Sequence, residues 1–164
     1  METKRLHAEY FLTLAEEAEP ELVGPDQIAW MDRLEAEHDN MRAALSWWME
    51  AGEAESALRM AGALVWFWTV RGHFSEGRRW SEEALVKVEE VSPARAKALQ
   101  GSGFMAFKEG DYDKARQSLE QSLALYRQQG DMKGEVTIQL VTLKVQWFGC
   151  GGGEETLTDL STDT

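Results

Sequence analysis

The run from Gly110 to Leu123 constrains the fold of this chain more tightly than any other stretch. Gly110 and Asp111 turn the chain, and Tyr112, Ala115, Leu119, Ser122 and Leu123 then recur at helical spacing, with Tyr126 continuing the face. Ala115 and Ser122 are small, so a second helix can come close there. The segment ahead supplies a matching face in Ala98, Leu99, Ser102 and Gly103, flanked by Phe104 and Phe107. Such a hairpin leaves apolar surface that only further helices can cover, so the fold it implies is a stack.

The remaining segments also read as helices. Leu6, Tyr10, Leu14 and Ala18 fall at spacing four with Phe11 beside them, and Pro20 is expected to end that helix. Gly24-Pro25-Asp26 is a turn and helix start, followed by a face of Ile28, Met31 and Leu34. Met41, Ala44, Leu45 and Trp48 mark another face, with a break or a continuous helix equally open at His38-Asp39-Asn40. From Ser56 to Val70 the only charge is Arg59, which places this helix in the middle of the stack. Phe74, Gly77, Trp80, Ser81, Ala84, Leu85 and Val88 form the inner face of the next, and Ser92-Pro93 caps the start of the following helix. Gly52-Glu53, Gly110-Asp111 and Gly130-Asp131 punctuate the chain as turns between antiparallel helices would. From Lys133 to Phe148 two signals compete. Context asks for a last helix, whereas alternating Val136, Ile138 and Leu140 favour a strand.

The fold class is therefore all-α, with about eight helices in stacked antiparallel hairpins. Residues 1–148 are expected to form one repeat domain, and 149–164 a disordered glycine-rich polar tail. The net charge is -12, concentrated in residues 1–60, where 14 acidic side chains face 5 basic ones. Such a surface repels phosphate backbones and argues against direct nucleic-acid contact. The longest uncharged apolar run, 60–70, is too short to span a bilayer. The N-terminus is charged and lacks the apolar core of a signal peptide. The single cysteine, Cys150, excludes an internal disulfide and fits a reducing, cytoplasmic setting.

The hairpin from 95 to 129 resembles a tetratricopeptide repeat (TPR) at Leu99, Gly103, Gly110, Asp111, Tyr112, Ala115, Leu119 and Ser122. A longer resemblance covers 7–134, carried by His7 to Leu12, Gly24 to Gln27, Trp30 to Glu35, His38 to Leu45 and Arg71 to Trp80. These segments are similar to the helical region of large bacterial regulators that join a signal-transduction P-loop ATPase to TPR-like repeats. Many of those end in a LuxR-type DNA-binding module and share the repeat region of the maltose-regulon activator. The resemblance implies a right-handed α-solenoid acting as sensor or interaction arm, with a protein or peptide partner such as the ATPase domain. The chain carries no G-x-x-x-x-G-K-[ST] loop and no terminal helix-turn-helix. The resemblance stops after Gly134, and a truncated or frame-shifted end is expected there.

In a TPR the first helix of a hairpin lines the groove. By that resemblance Lys97, Gln100, Phe104, Phe107 and Lys108 form an aromatic centre with two cations, suited to an acidic peptide. Phe104 and Phe107 fit the core equally well. Arg71, His73, Arg78 and Arg79 cluster around one turn and could recognise an anion or a partner domain. Pairing with the acidic N-terminal helices is the favoured alternative. The tryptophans at 47, 48, 66, 68 and 80 read as packing. Glu35 and His38 make a single Glu-x-x-His, and a di-iron site needs two such motifs with two further glutamates. No metal, cofactor or catalytic set is expected, so an enzyme, here a helical-bundle metalloenzyme, ranks last. A small-molecule sensor with a pocket among Trp66, Trp68 and the 71–79 turn is the intermediate alternative.

Overall fold

A computed structural model describes residues 1–149. Among them the chain is all-helical, with eight helices and no strand. These are α1 (Glu2–Glu21), α2 (Gln27–Ala36), α3 (His38–Glu50), α4 (Ala54–Arg71), α5 (Phe74–Lys87), α6 (Pro93–Lys108), α7 (Tyr112–Gln129) and α8 (Met132–Gly149). None is long and apolar enough to cross a membrane. Of the expected tail, Gly149 is the last residue of α8, and residues 150–164 lie outside the described residues.

Local chemistry sets the boundaries. The Ser92 hydroxyl accepts from the Arg95 amide at 3.1 Å with Pro93 in the first turn, and Asp111 caps α7 through the Lys114 amide. Gly110 and Gly130 adopt φ of 81° and 70°, a left-handed turn that other residues enter only with strain. Between α2 and α3 the break is one residue, Glu37, at φ -96° and ψ 7°. Pro20 does not end α1 but sits inside its last turn.

Helix α4 is central, packing against α1, α3, α5 and α6, after which α5 to α8 follow as successive antiparallel neighbours. One core cluster joins α1 to α5 around Leu34, Met41, Leu58, Met60, Phe67 and Trp68, with Ala98 and Met105 reaching in from α6. A second gathers Ala96, Ala106, Ala115, Leu119, Tyr126, Ile138 and Val145. Helix α6 thus belongs to both, which couples the two ends of the stack.

Several expected inner positions face outward. Leu6 and Tyr10 are exposed, because a strict spacing of four winds around a helix of 3.6 residues per turn. The buried stripe of α1 keeps Leu14 and Ala18 of the expected face, with Phe11 beside them, and adds Ala8, Leu12 and Ala15. Ile28 is exposed while Met31 and Leu34 are buried. Tyr112 is 37% exposed and touches the Phe107 ring from outside. Of the alternating residues in α8 only Ile138 is buried. Val136 and Leu140 are exposed, and Val145, two turns on from Ile138, shares its face. Packing against α7 overrides the local strand preference.

Candidate functional site

A cleft of about 550 Å³ lies between α1, α4, α6 and α8, and part of the expected groove opens onto it. Its lining includes Glu19, Val23, Trp66, Lys97, Gln100 and Lys133. Close approach of α4 and α6 makes the floor. A Cβ on Gly101 would fall 2.2 Å from Val65 Cγ2, and the Lys97 stem lies over Gly62. Lys97 donates to both Glu19 oxygens at 2.7 and 3.0 Å. Gln100 Oε1 accepts from the Tyr126 hydroxyl at 2.8 Å. Further along α6, Lys108 sits 5.4 Å above the half-buried Phe104 ring. Phe107 packs toward the second core cluster instead. Trp66, 39% exposed, is the largest apolar group in the cleft. Trp68 is on another face of α4, only 1% exposed, so the two indoles share no pocket.

The basic cluster is drawn into intramolecular pairs. Arg71 binds Asp32, and His73 Nε2 lies 3.3 Å from both Glu35 oxygens, so these two meet the acidic α2. Arg78 reaches Glu82 at 2.9 Å, Glu109 at 3.0 Å and Asp111 at 2.6 Å, tying α5 to the α6–α7 turn. Burial lowers the pKa of its guanidinium, and the bonds to Glu82, Asp111 and Glu109 outweigh that and hold it above the ordinary value. The Arg78 hydrogen bond in turn holds the Asp111 carboxyl below the usual carboxylate range. Arg79 lies 4.8 Å over the Trp80 ring. Arg78→Ala is therefore expected to cost about 1–3 kcal/mol, the loss for charged hydrogen-bonding groups, read from the urea midpoint. Arg79→Ala should stay within about 0.5 kcal/mol.

One cluster was hidden in the linear sequence. Glu35 in the last turn of α2, His38 opening α3 and His73 preceding α5 each bring a donor atom within 4.8 Å of the other two. The two imidazole centroids are 4.5 Å apart, and Phe67 packs edge-on to His38 at 5.2 Å. Glu76 Oε1 is 3.3 Å from His38 Nε2, but Arg42 holds both Glu76 oxygens at 2.8 and 2.7 Å. Hydrogen bonds from Arg42 keep the Glu76 carboxyl below its ordinary pKa against the opposing effect of burial. Burial pushes the His38 imidazole below its ordinary value. The expectation that no ligand set assembles counted Glu-x-x-His motifs along the chain. The third donor comes from 35 residues beyond His38, across the α4–α5 turn.

No family model matches the chain, and no solved structure matches it. Over 105 residues, 61% of its length, it is 29% identical to three mycobacterial proteins. They are "Putative HTH-type transcriptional regulator Rv0890c" and its MT0914 counterpart, both of Mycobacterium tuberculosis, and Mb0914c of Mycobacterium bovis. The match spans 12% of the length of these relatives. The likeness relates the chain to proteins named as transcriptional regulators and goes no further.

Proposed function

We propose that this chain is a non-catalytic, TPR-like interaction or sensor segment of a bacterial transcriptional or signal-transduction regulator. Its role is to couple a bound protein or peptide to a neighbouring module such as a P-loop ATPase domain. The observation that carries this reading is the α1–α4–α6–α8 cleft. In a TPR-like stack the first helices of successive hairpins, here α4, α6 and α8, line one groove. Trp66 supplies an apolar anchor there, and Lys97 and Lys133 supply cations in a chain that is otherwise strongly acidic. The Lys97–Glu19 pair is half-exposed, so an incoming carboxylate can replace Glu19 at small cost. Acidic segments bearing one large apolar residue are the partner chemistry this suits.

The test is fluorescence polarisation against an array of acidic peptides with one aromatic or leucine anchor. Saturable binding should fall at least about tenfold in Trp66→Ala, the loss expected of a modest anchor. Its melting temperature should stay near that of the wild type because the indole is already half in water. Equal binding by Trp66→Ala and wild type would remove the cleft from consideration. The cleft volume also falls in the range of small-ligand sites, so a small-molecule sensor is the second reading. Native mass spectrometry showing a co-purified small molecule, lost in Trp66→Ala, would favour it.

A further inference from the structure

We propose that Glu35, His38 and His73 form a binding site for a divalent transition metal, with zinc the best match. Two imidazoles and one carboxylate are a donor set that zinc takes, leaving a fourth position for water or an exogenous ligand. The three residues come from three elements, the end of α2, the start of α3 and the residue before α5. Their positions are fixed by helix packing rather than by a mobile loop.

The geometry is nearly that of a bound state. Donors held about 2.0–2.1 Å from a tetrahedral zinc lie about 3.3 Å apart. His73 Nε2 is already 3.3 Å from the Glu35 oxygens. The remaining separations are all within 4.8 Å, and closing them takes rotation of the partly exposed Glu35 and His73 side chains toward His38. The His38 side chain is 8% exposed, and its Nε2 makes no hydrogen bond. An imidazole nitrogen in that state is costly unless something completes its shell. Glu76 Oε1 lies 3.3 Å from that same His38 nitrogen, but both Glu76 oxygens are held by Arg42 and leave its shell incomplete. The Glu35 and His73 side chains are 41% and 28% exposed, so an ion can enter from solvent.

A site of three donors is neither the di-iron centre that a doubled Glu-x-x-His would make nor part of the cleft. Its failure would leave the interaction reading intact. The test uses tag-free protein stripped with a chelator and titrated with Zn²⁺ by calorimetry, with thermal melting in parallel. One zinc per chain and a raised melting temperature are expected. His73→Ala and Glu35→Gln should each weaken zinc binding by about a hundredfold or more, beyond what loss of an outer partner costs. Both alter partly exposed side chains and should fold. His7→Ala, which removes an imidazole on α1, should bind as the wild type does. Absence of zinc uptake by the wild type, or undiminished binding by either variant, overturns the proposal.

Discussion

Trp68→Ala is expected to lose about 3–5 kcal/mol of stability, the range for truncating a fully buried tryptophan. Trp68 is 1% exposed and is wedged where α4, α5 and α6 meet. Its Nε1 has no hydrogen-bond partner, so the cost is one of lost packing, reduced in part because an unsatisfied buried donor leaves with the ring. The wedge works only because Gly77 presents no side chain. A Cβ there would lie 2.6 Å from Trp68 Cε3 and 2.6 Å from Met105 Sδ. Gly77→Ala should therefore destabilise the wild type by about 1–3 kcal/mol, overpacking outweighing the helical gain. In the Trp68→Ala background the ring contact is gone and the flexible Met105 side chain can swing into the vacated space, so the same substitution has room. It should stabilise by up to about 1 kcal/mol through helix propensity alone. The double-mutant cycle, measured by urea denaturation, should thus show a change of sign. An equal cost of Gly77→Ala in both backgrounds would show that α5 does not seat on this indole.

The small residues that permit this seating are visible in the sequence, and their partners are not. Gly77, Gly101 and Gly103 could be marked as points of close approach. That Gly77 meets Trp68 while Gly101 meets Val65 depends on the angle between hairpins. Helix number and most boundaries were legible because glycine turns and the Ser92 and Asp111 caps act locally. Burial was less so where the face was inferred from few residues. Leu6, Tyr10 and Ile28 belong to faces that neighbouring helices do not cover. The α6 side of the groove rests on the resemblance to a TPR, and of its five residues only Lys97 and Gln100 line the cleft. Val23 and Lys133 were not legible at all, since the cleft needs α1 and α8 brought beside α4, and Trp66 was legible only beside Trp68, with which it shares no pocket. A periodic hint existed in Gly62, Trp66 and Val70, a row four apart on an otherwise apolar helix. Glu35 and His38 stand out by their Glu-x-x-His spacing, but His73 could not be joined to them, because it meets them only when the α2–α3 break touches the α4–α5 turn.

Alkaline pH is expected to loosen the far end of the stack through Tyr126. This residue is 6% exposed, donates its hydroxyl to Gln100, and lays its ring against α8 where a Cβ on Gly134 would fall 2.4 Å from Cδ1. Burial first, then the charges of Asp131 and Glu19, push its pKa up to about 12. An unfolded tyrosine titrates near 10, so the folded state keeps its proton longer. The stabilisation is fully present below the unfolded pKa and is lost as pH rises through the folded one. At about 1.4 kcal/mol per unit, about 2–3 kcal/mol should disappear between about pH 10 and 12. Tyr126→Phe should cost about 1 kcal/mol at neutral pH for the lost hydrogen bond to Gln100. It should also remove that part of the alkaline slope, the other titrating groups being common to both proteins. The urea midpoint of each, followed from pH 8 upward, measures the difference. Parallel curves for the two proteins would mean that α8 is held by Ile138 and Val145 without the phenol.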